Sequence, residues 1–136
     1  MFGLVFLLHF NNTKNTNPEV VKYYNELESS LKKRGYNSNL VIICTNRSKI
    51  ENWIYQKISV AASKSQHLNG NAIDFLVFDI NDDGTVNDKD VDMVYEVLDK
   101  EIIKDSGGVG TYKNQGSFIK QMIHIDSRGT RARWNY

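Results

Sequence analysis

Two short apolar runs, each with one ionisable side chain set among apolar neighbours, constrain this chain more than any other feature. They are Ala72-Ile-Asp74-Phe-Leu-Val-Phe78 and Met122-Ile-His124-Ile125. Both have strand length and composition. A carboxylate or imidazole inside such a strand needs a partner, because burying a polar or charged group unpaired is costly. In an extended strand His124 and Asp126 point to the same face. Two such strands side by side bring Asp74 and His124 together, with His67 in the loop just before and Gly70 allowing the sharp turn between them. Zinc takes neutral imidazole nitrogens and a carboxylate oxygen, three from protein in a catalytic site. On spacing alone, a metal site and a hydrogen-bonded core pair both stand.

The rest of the chain surrounds these strands with helices. Asn17-Pro18 starts a helix, with Pro in the first turn and Glu19 behind it. Val20, Val21, Tyr24, Leu27 and Leu31 recur at helical spacing. Lys32-Lys33-Arg34 suit the negative end of the helix dipole, and Gly35 ends it. Leu40 to Cys44 is a β-branched strand, and Lys49 to about Val60 a second helix. Asp88 to Lys104 reads as a third helix, with Val91, Val94, Tyr95, Leu98 and Ile102 on one face. Leu4 to Phe10 reads as a buried strand: it is too short to span a membrane and lacks the basic start and small-residue cleavage site of a secretory signal. Helices and strands mix without regular alternation. The expectation is an α+β fold with a small, mostly antiparallel sheet and flanking helices, one domain over residues 1–136.

Composition narrows the function classes. The chain has 136 residues, of which 40% are hydrophobic and 24% charged, a globular composition that can build a core without staples. Lys+Arg number 17 and Asp+Glu 16, a net charge of +1, which argues against broad binding to nucleic acid or anionic membrane. The single cysteine, Cys44, excludes an internal disulfide framework and a Cys-rich zinc site. A monomer is expected.

Ser65-x-His67-x-x-Gly70-x-Ala72-x-Asp74 resembles the first zinc signature of the zinc D-alanyl-D-alanine carboxypeptidase family. That family includes murein endopeptidases, phage endolysins and D,D-dipeptidases, and shares its fold with the signalling domain of hedgehog proteins. Cys44-Thr-Asn-Arg47-Ser48 is similar to a strand end of the same family. Gly107-Gly-Val-Gly110-Thr-Tyr112, followed by His124-x-Asp126-x-Arg128-Gly129 and Trp134, resembles the closing segment of its murein-peptidase branch. The resemblance implies a zinc held by His67, Asp74 and His124, and hydrolysis of peptide bonds in peptidoglycan stem or cross-link peptides, as a carboxypeptidase or an endopeptidase. Arg47 would hold the substrate carboxylate or the developing oxyanion, and Ser65 would hydrogen-bond nearby. Several branches carry an acidic base three residues before the last zinc histidine; here that position is Gln121, which accepts no proton at neutral pH. Asp126 is then the expected base, its other reading being a partner that orients His124 or pairs with Arg128. Gln121 also keeps a competing function open, a catalytically inactive zinc-stabilised module that binds cell wall or protein. The expected place of action is the cell envelope, or a phage-lysin pool. Gly107 to Gly110 lacks the Lys-Ser/Thr of a phosphate loop and reads as a flexible loop at the rim, with Tyr112 lining the cleft and Trp134 packing the C-terminus.

Asp79-Ile-Asn81-Asp-Asp83-Gly84-Thr85-Val86-Asn87-Asp-Lys-Asp90 has the spacing of an EF-hand-type calcium loop. With Asp at its twelfth position it resembles the calcium loop of dockerin modules. Asp79, Asn81, Asp83 and Asp90 would supply side-chain oxygens and Thr85 a carbonyl, with Val86 anchoring the loop to the core. The five aspartates of this stretch repel one another unless a cation sits among them. The other reading is a polar turn that caps the helix beginning near Asp88.

Overall fold

Asn17 opens the first helix as the sequence requires. Its side-chain oxygen accepts from the Glu19 amide at 2.9 Å, satisfying a donor that every helix start leaves bare. The computed structural model describes residues 16–45 and 70–136. The first helix, α1, is Pro18–Lys33, and it buries Val20, Tyr23, Tyr24, Leu27 and Leu31. Gly35, at φ 78°, turns the chain out of it. Strand β1 (Leu40–Cys44) follows, then β2 (Ala72–Val77). Helix α2 (Asp88–Val97) runs on into a five-residue π-helical turn, Leu98–Ile102, so the long third helix expected from periodicity loosens its winding before its end. Strand β3 (Gly108–Thr111), a 3-10 turn (Ser117–Gln121), β4 (Met122–Asp126) and β5 (Ala132–Asn135) complete the described chain.

The five strands form one sheet in the order β1-β2-β4-β3-β5. Among the described strands the β1/β2, β2/β4 and β3/β4 pairs are antiparallel, and β3/β5 is parallel. This is the expected α+β fold with a mostly antiparallel sheet. Alternation along the strands divides the sheet into two faces. Ile73, Phe75, Val77, Val109, Ile123 and Ile125 turn to the helix side, where they pack with Val20, Leu27 and Leu31 of α1 and with Val91, Val94 and Val97 of α2. Full burial of side chains of this size stabilises by about 1.5–3 kcal/mol each. The alternate positions, Asp74, His124, Asp126, Gly108, Gly110 and Trp134, share the other face through the strand register. A small cluster of Ile43, Tyr112 and Met122, with Leu76 and Ile119 against it, is distinct from the main core.

Three expectations are corrected. Gly107 to Gly110 is not a flexible rim loop: Gly108–Thr111 is a fully buried strand between β4 and β5. Val86 does not anchor the 79–90 loop to the core, being 42% exposed. The third helix is α-helical only to Val97. The expected strand Leu4 to Phe10 and helix Lys49 to Val60 lie outside the described residues.

Candidate metal centre

The register of four strands builds the site. Asp74 of β2 is paired directly with His124 of β4. His124 is paired on its other side with Gly110 of β3, and Gly110 with Trp134 of β5. Asp74, His124, Gly110 and Trp134 therefore form one row across the sheet. Ala72, Asp126, Gly108 and Ala132 form another row, two residues along. Neighbouring strands are ~4.7–4.9 Å apart, so Trp134 can reach His124 only if the position between them is empty. Gly110 empties it, since a Cβ there would overlap the Trp134 indole. The indole and imidazole centroids stand 5.0 Å apart. Gly108 does the same for the second row, where a Cβ would overlap the Asp126 carboxylate.

His124 is held from both sides. Its Nδ1 lies 3.0 Å from Asp74 Oδ1, and its Nε2 lies 2.8 Å from Asp126 Oδ2. Burial disfavours a charged ring here, but hydrogen bonds to Asp126 and Asp74 outweigh it and raise the His124 pKa. Asp126 has no exposed surface. Its Oδ1 accepts from the Gly108 amide at 2.9 Å, the Arg128 amide at 3.2 Å and Arg128 Nε at 2.8 Å. Its Oδ2 accepts from Arg128 Nη2 at 2.6 Å besides His124. Burial alone would push this carboxyl up, yet the Arg128 and His124 hydrogen bonds prevail and hold it well below the usual carboxylate range. Arg128 also stands over the Trp134 ring, 5.3 Å from its centroid.

Of the residues expected at the site, the sheet brings together Asp74, His124 and Asp126. His67, Ser65 and Arg47 lie outside the described residues. Cys44, the last residue of β1, is paired with Asp74. Tyr112, expected in the cleft wall, is buried, and its hydroxyl accepts from Trp134 Nε1 at 3.4 Å. Gln121 donates to the Val77 carbonyl at 3.3 Å. Gly108, Gly110 and the Arg128–Trp134 contact were not foreseen as parts of the site. The readable signal for the glycines was their spacing of two, which matches His124 and Asp126 across the strand pair.

The Asp74–His124 pair fits a zinc ion by its donor chemistry. Zinc–nitrogen and zinc–oxygen bonds of ~2.0–2.1 Å in tetrahedral geometry put neighbouring ligand atoms about 3.3 Å apart, close to the 3.0 Å seen here. An outer carboxylate on the far ring nitrogen is the usual companion of a metal-binding histidine. Among the described residues no group of three His, Cys, Asp or Glu side chains closes on one point.

The 79–90 loop directs its side-chain oxygens to backbone amides. Asp79 accepts from Asp83 at 3.2 Å and Gly84 at 2.9 Å, and Asp83 accepts from Thr85 at 2.9 Å. Asn87 and Asp90 form a reciprocal capping box at the start of α2. Asp90, fully buried, also accepts from the Ile80 amide at 3.1 Å.

Comparison with known proteins places these features in context. The Peptidase_M15_2 family model, described as peptidoglycan L,D-endopeptidase MepK, matches residues 6–134. A search of curated proteins finds no match. Among solved structures, the crystal structure of Serratia marcescens L-Ala D-Glu endopeptidase ChiX is similar at 16% identity and a TM-score of 0.48, covering 85% of this chain and 83% of that one.

Proposed function

The chain belongs to the peptidoglycan L,D-endopeptidase MepK family, and from that premise we propose that it is a zinc-dependent peptidase hydrolysing an L,D bond in peptidoglycan stem or cross-link peptides. The observation that carries the reading is the directly paired Asp74 and His124, 3.0 Å apart on one sheet face with the far ring nitrogen tied to Asp126. Asp74 and His124, with His67, are the residues that would hold the metal. When bound, zinc supplies a Lewis acid that polarises the scissile carbonyl and lowers the pKa of a water to about 7.

The chain's own groups divide the remaining work. Asp126 accepts a hydrogen bond at His124 Nε2 and so leaves Nδ1 facing Asp74. Its burial and its full set of donors suit this orienting role and leave no open lone pair to receive a proton from water. We therefore assign orientation, not base catalysis, to Asp126. Arg47 and Ser65 are proposed to bind substrate, and Tyr112 to stand behind Trp134. The substrate places the enzyme's work at the bacterial cell wall.

The 79–90 loop is proposed as a separate, structural calcium site, with Asp79, Asn81, Asp83, Thr85 and Asp90 as ligands. The support is its sequence spacing and the left-handed Gly84, at φ 80°, in the position where such loops turn sharply.

The test is digestion of purified peptidoglycan by the zinc-loaded chain, with mass spectrometry of the released peptides. Fragments cut at an L,D bond, lost with a chelator and restored by zinc, are expected. Fragments cut only at D,D bonds, or released D-alanine alone, would contradict the L,D assignment. Intact peptidoglycan bound by fully zinc-loaded protein would make this a binding module.

A further inference from the structure

We infer that Arg128 is a positioning residue for the proposed metal centre: it fixes Asp126, and through Asp126 the ring of His124. The inference rests on the proposed function for the metal centre, and on geometry alone for the hold on His124. Arg128 approaches Asp126 with two prongs, Nε to Oδ1 at 2.8 Å and Nη2 to Oδ2 at 2.6 Å, and adds its backbone amide at 3.2 Å. A fork of this kind sets the plane of the carboxylate as well as its position. The plane matters because Oδ2 is also the acceptor for His124 Nε2 at 2.8 Å. A carboxylate rotated about its own axis would swing that oxygen off the ring and free the imidazole to turn.

Two neighbours complete the clamp. The Gly108 amide donates to Oδ1 at 2.9 Å from β3, on the side where any Cβ would overlap the carboxylate. Trp134 packs against both ends, 5.0 Å from the His124 ring and 5.3 Å from the Arg128 guanidinium carbon. Arg128 itself remains about one-third exposed at its side chain, while Asp126 is sealed. The guanidinium is thus the outer gatepost of a buried chain of contacts that ends at the nitrogen facing Asp74. Its touch on the metal is indirect, which makes it a positioning residue and not a catalytic one.

The test uses the full chain and two readouts, one without metal. In metal-free protein, nitrogen-15 spectra of the histidine rings should show a slowly exchanging Nε2 proton on His124, identified by its loss in His124→Gln. Arg128→Gln should lose that signal while the backbone spectrum stays folded. Zinc affinity, measured by competition with a coloured chelator, should fall roughly 10–100-fold, the range for losing an outer partner of a metal ligand. In an Asp126→Asn background Arg128→Gln should cause little further loss, because the arginine acts through that carboxylate. A folded Arg128→Gln with the Nε2 signal and zinc affinity intact, or losses that simply multiply in the double variant, would overturn the inference. If Arg128→Gln does not fold, Arg128→Lys keeps the charge but not the fork: partial loss of both readouts supports the inference, and wild-type values overturn it. The metal-free arm separates the two claims, since a locked His124 in a protein that binds no zinc would sink the peptidase reading and leave the positioning role standing.

Discussion

The Trp134 indole occupies the space that a side chain at Gly110 would need. Gly110→Ala must therefore expel the ring or strain the strand, and overpacking of this kind costs about 1–3 kcal/mol. The expected result is a lower melting temperature and a shifted Trp134 fluorescence spectrum in metal-free protein; an unchanged melt and spectrum would show that the indole is not seated on this strand. Asp74 and His124 were legible in the sequence because an ionisable group in an apolar strand is an anomaly that demands a partner. Gly108 and Gly110 were not, because their purpose lies in side chains of the neighbouring strands β4 and β5, which only the register reveals. The two roles weighed for Asp126 could not be separated by spacing either. Donors from β3 and from Arg128, and complete burial, are what favour the orienting role proposed above.

Elements show a similar division. The strands β1, β2 and β4 and the helix α1 were readable to within a residue or so, since each has a clear apolar period and a cap or breaker at its end. Strands β3 and β5 were not. Half of β3 is glycine, and β5 reads Ala-Arg-Trp-Asn with no β-branched residue, so neither shows the continuous β-branched run of a strand. Side-chain bonds hold β5 in place. Asp99 of the π-helical turn accepts from Arg131 Nη2 at 2.9 Å and Arg133 Nε at 2.8 Å, while Arg133 Nη1 donates to the Gly107 carbonyl at 2.8 Å. The hydrogen bond from Arg133, against the smaller opposing effect of burial, holds the Asp99 carboxyl below its ordinary value. A depressed folded pKa stabilises above the unfolded value of about 3.9 and is lost as pH falls through the folded one. Wild type should melt above Asp99→Asn at neutral pH, and the gap should close in acid below about pH 4; a gap independent of pH would mean the charge is irrelevant. The 79–90 loop makes its own prediction. Calcium that binds only the folded loop should stabilise by about 2.7 kcal/mol at a hundredfold excess over Kd, raising the melting temperature of wild type but not of Asp79→Ala. No change on adding calcium, with none bound by elemental analysis, would leave the loop as the capping turn of α2.

At the level of the whole molecule, the sheet separates two tasks. One face carries the apolar core shared with α1 and α2, and the other presents polar groups in fixed rows. A site built on paired strands has its geometry set by the ladder hydrogen bonds, so Asp74 and His124 do not depend on loop conformation for their separation. The near balance of charge accords with a substrate recognised by local contacts and not by a broad field. No described helix is long and apolar enough to cross a membrane. The central claim is that the Asp74–His124 pair is the metal centre of a peptidoglycan peptidase. Its most direct test is titration of zinc into metal-free protein while peptide release from purified peptidoglycan is followed. Release should rise in step with zinc and level off at one ion per chain, and Asp74→Ala should stay inactive over the same range. Release that is unaffected by removing zinc, or that Asp74→Ala supports equally well, would contradict the account.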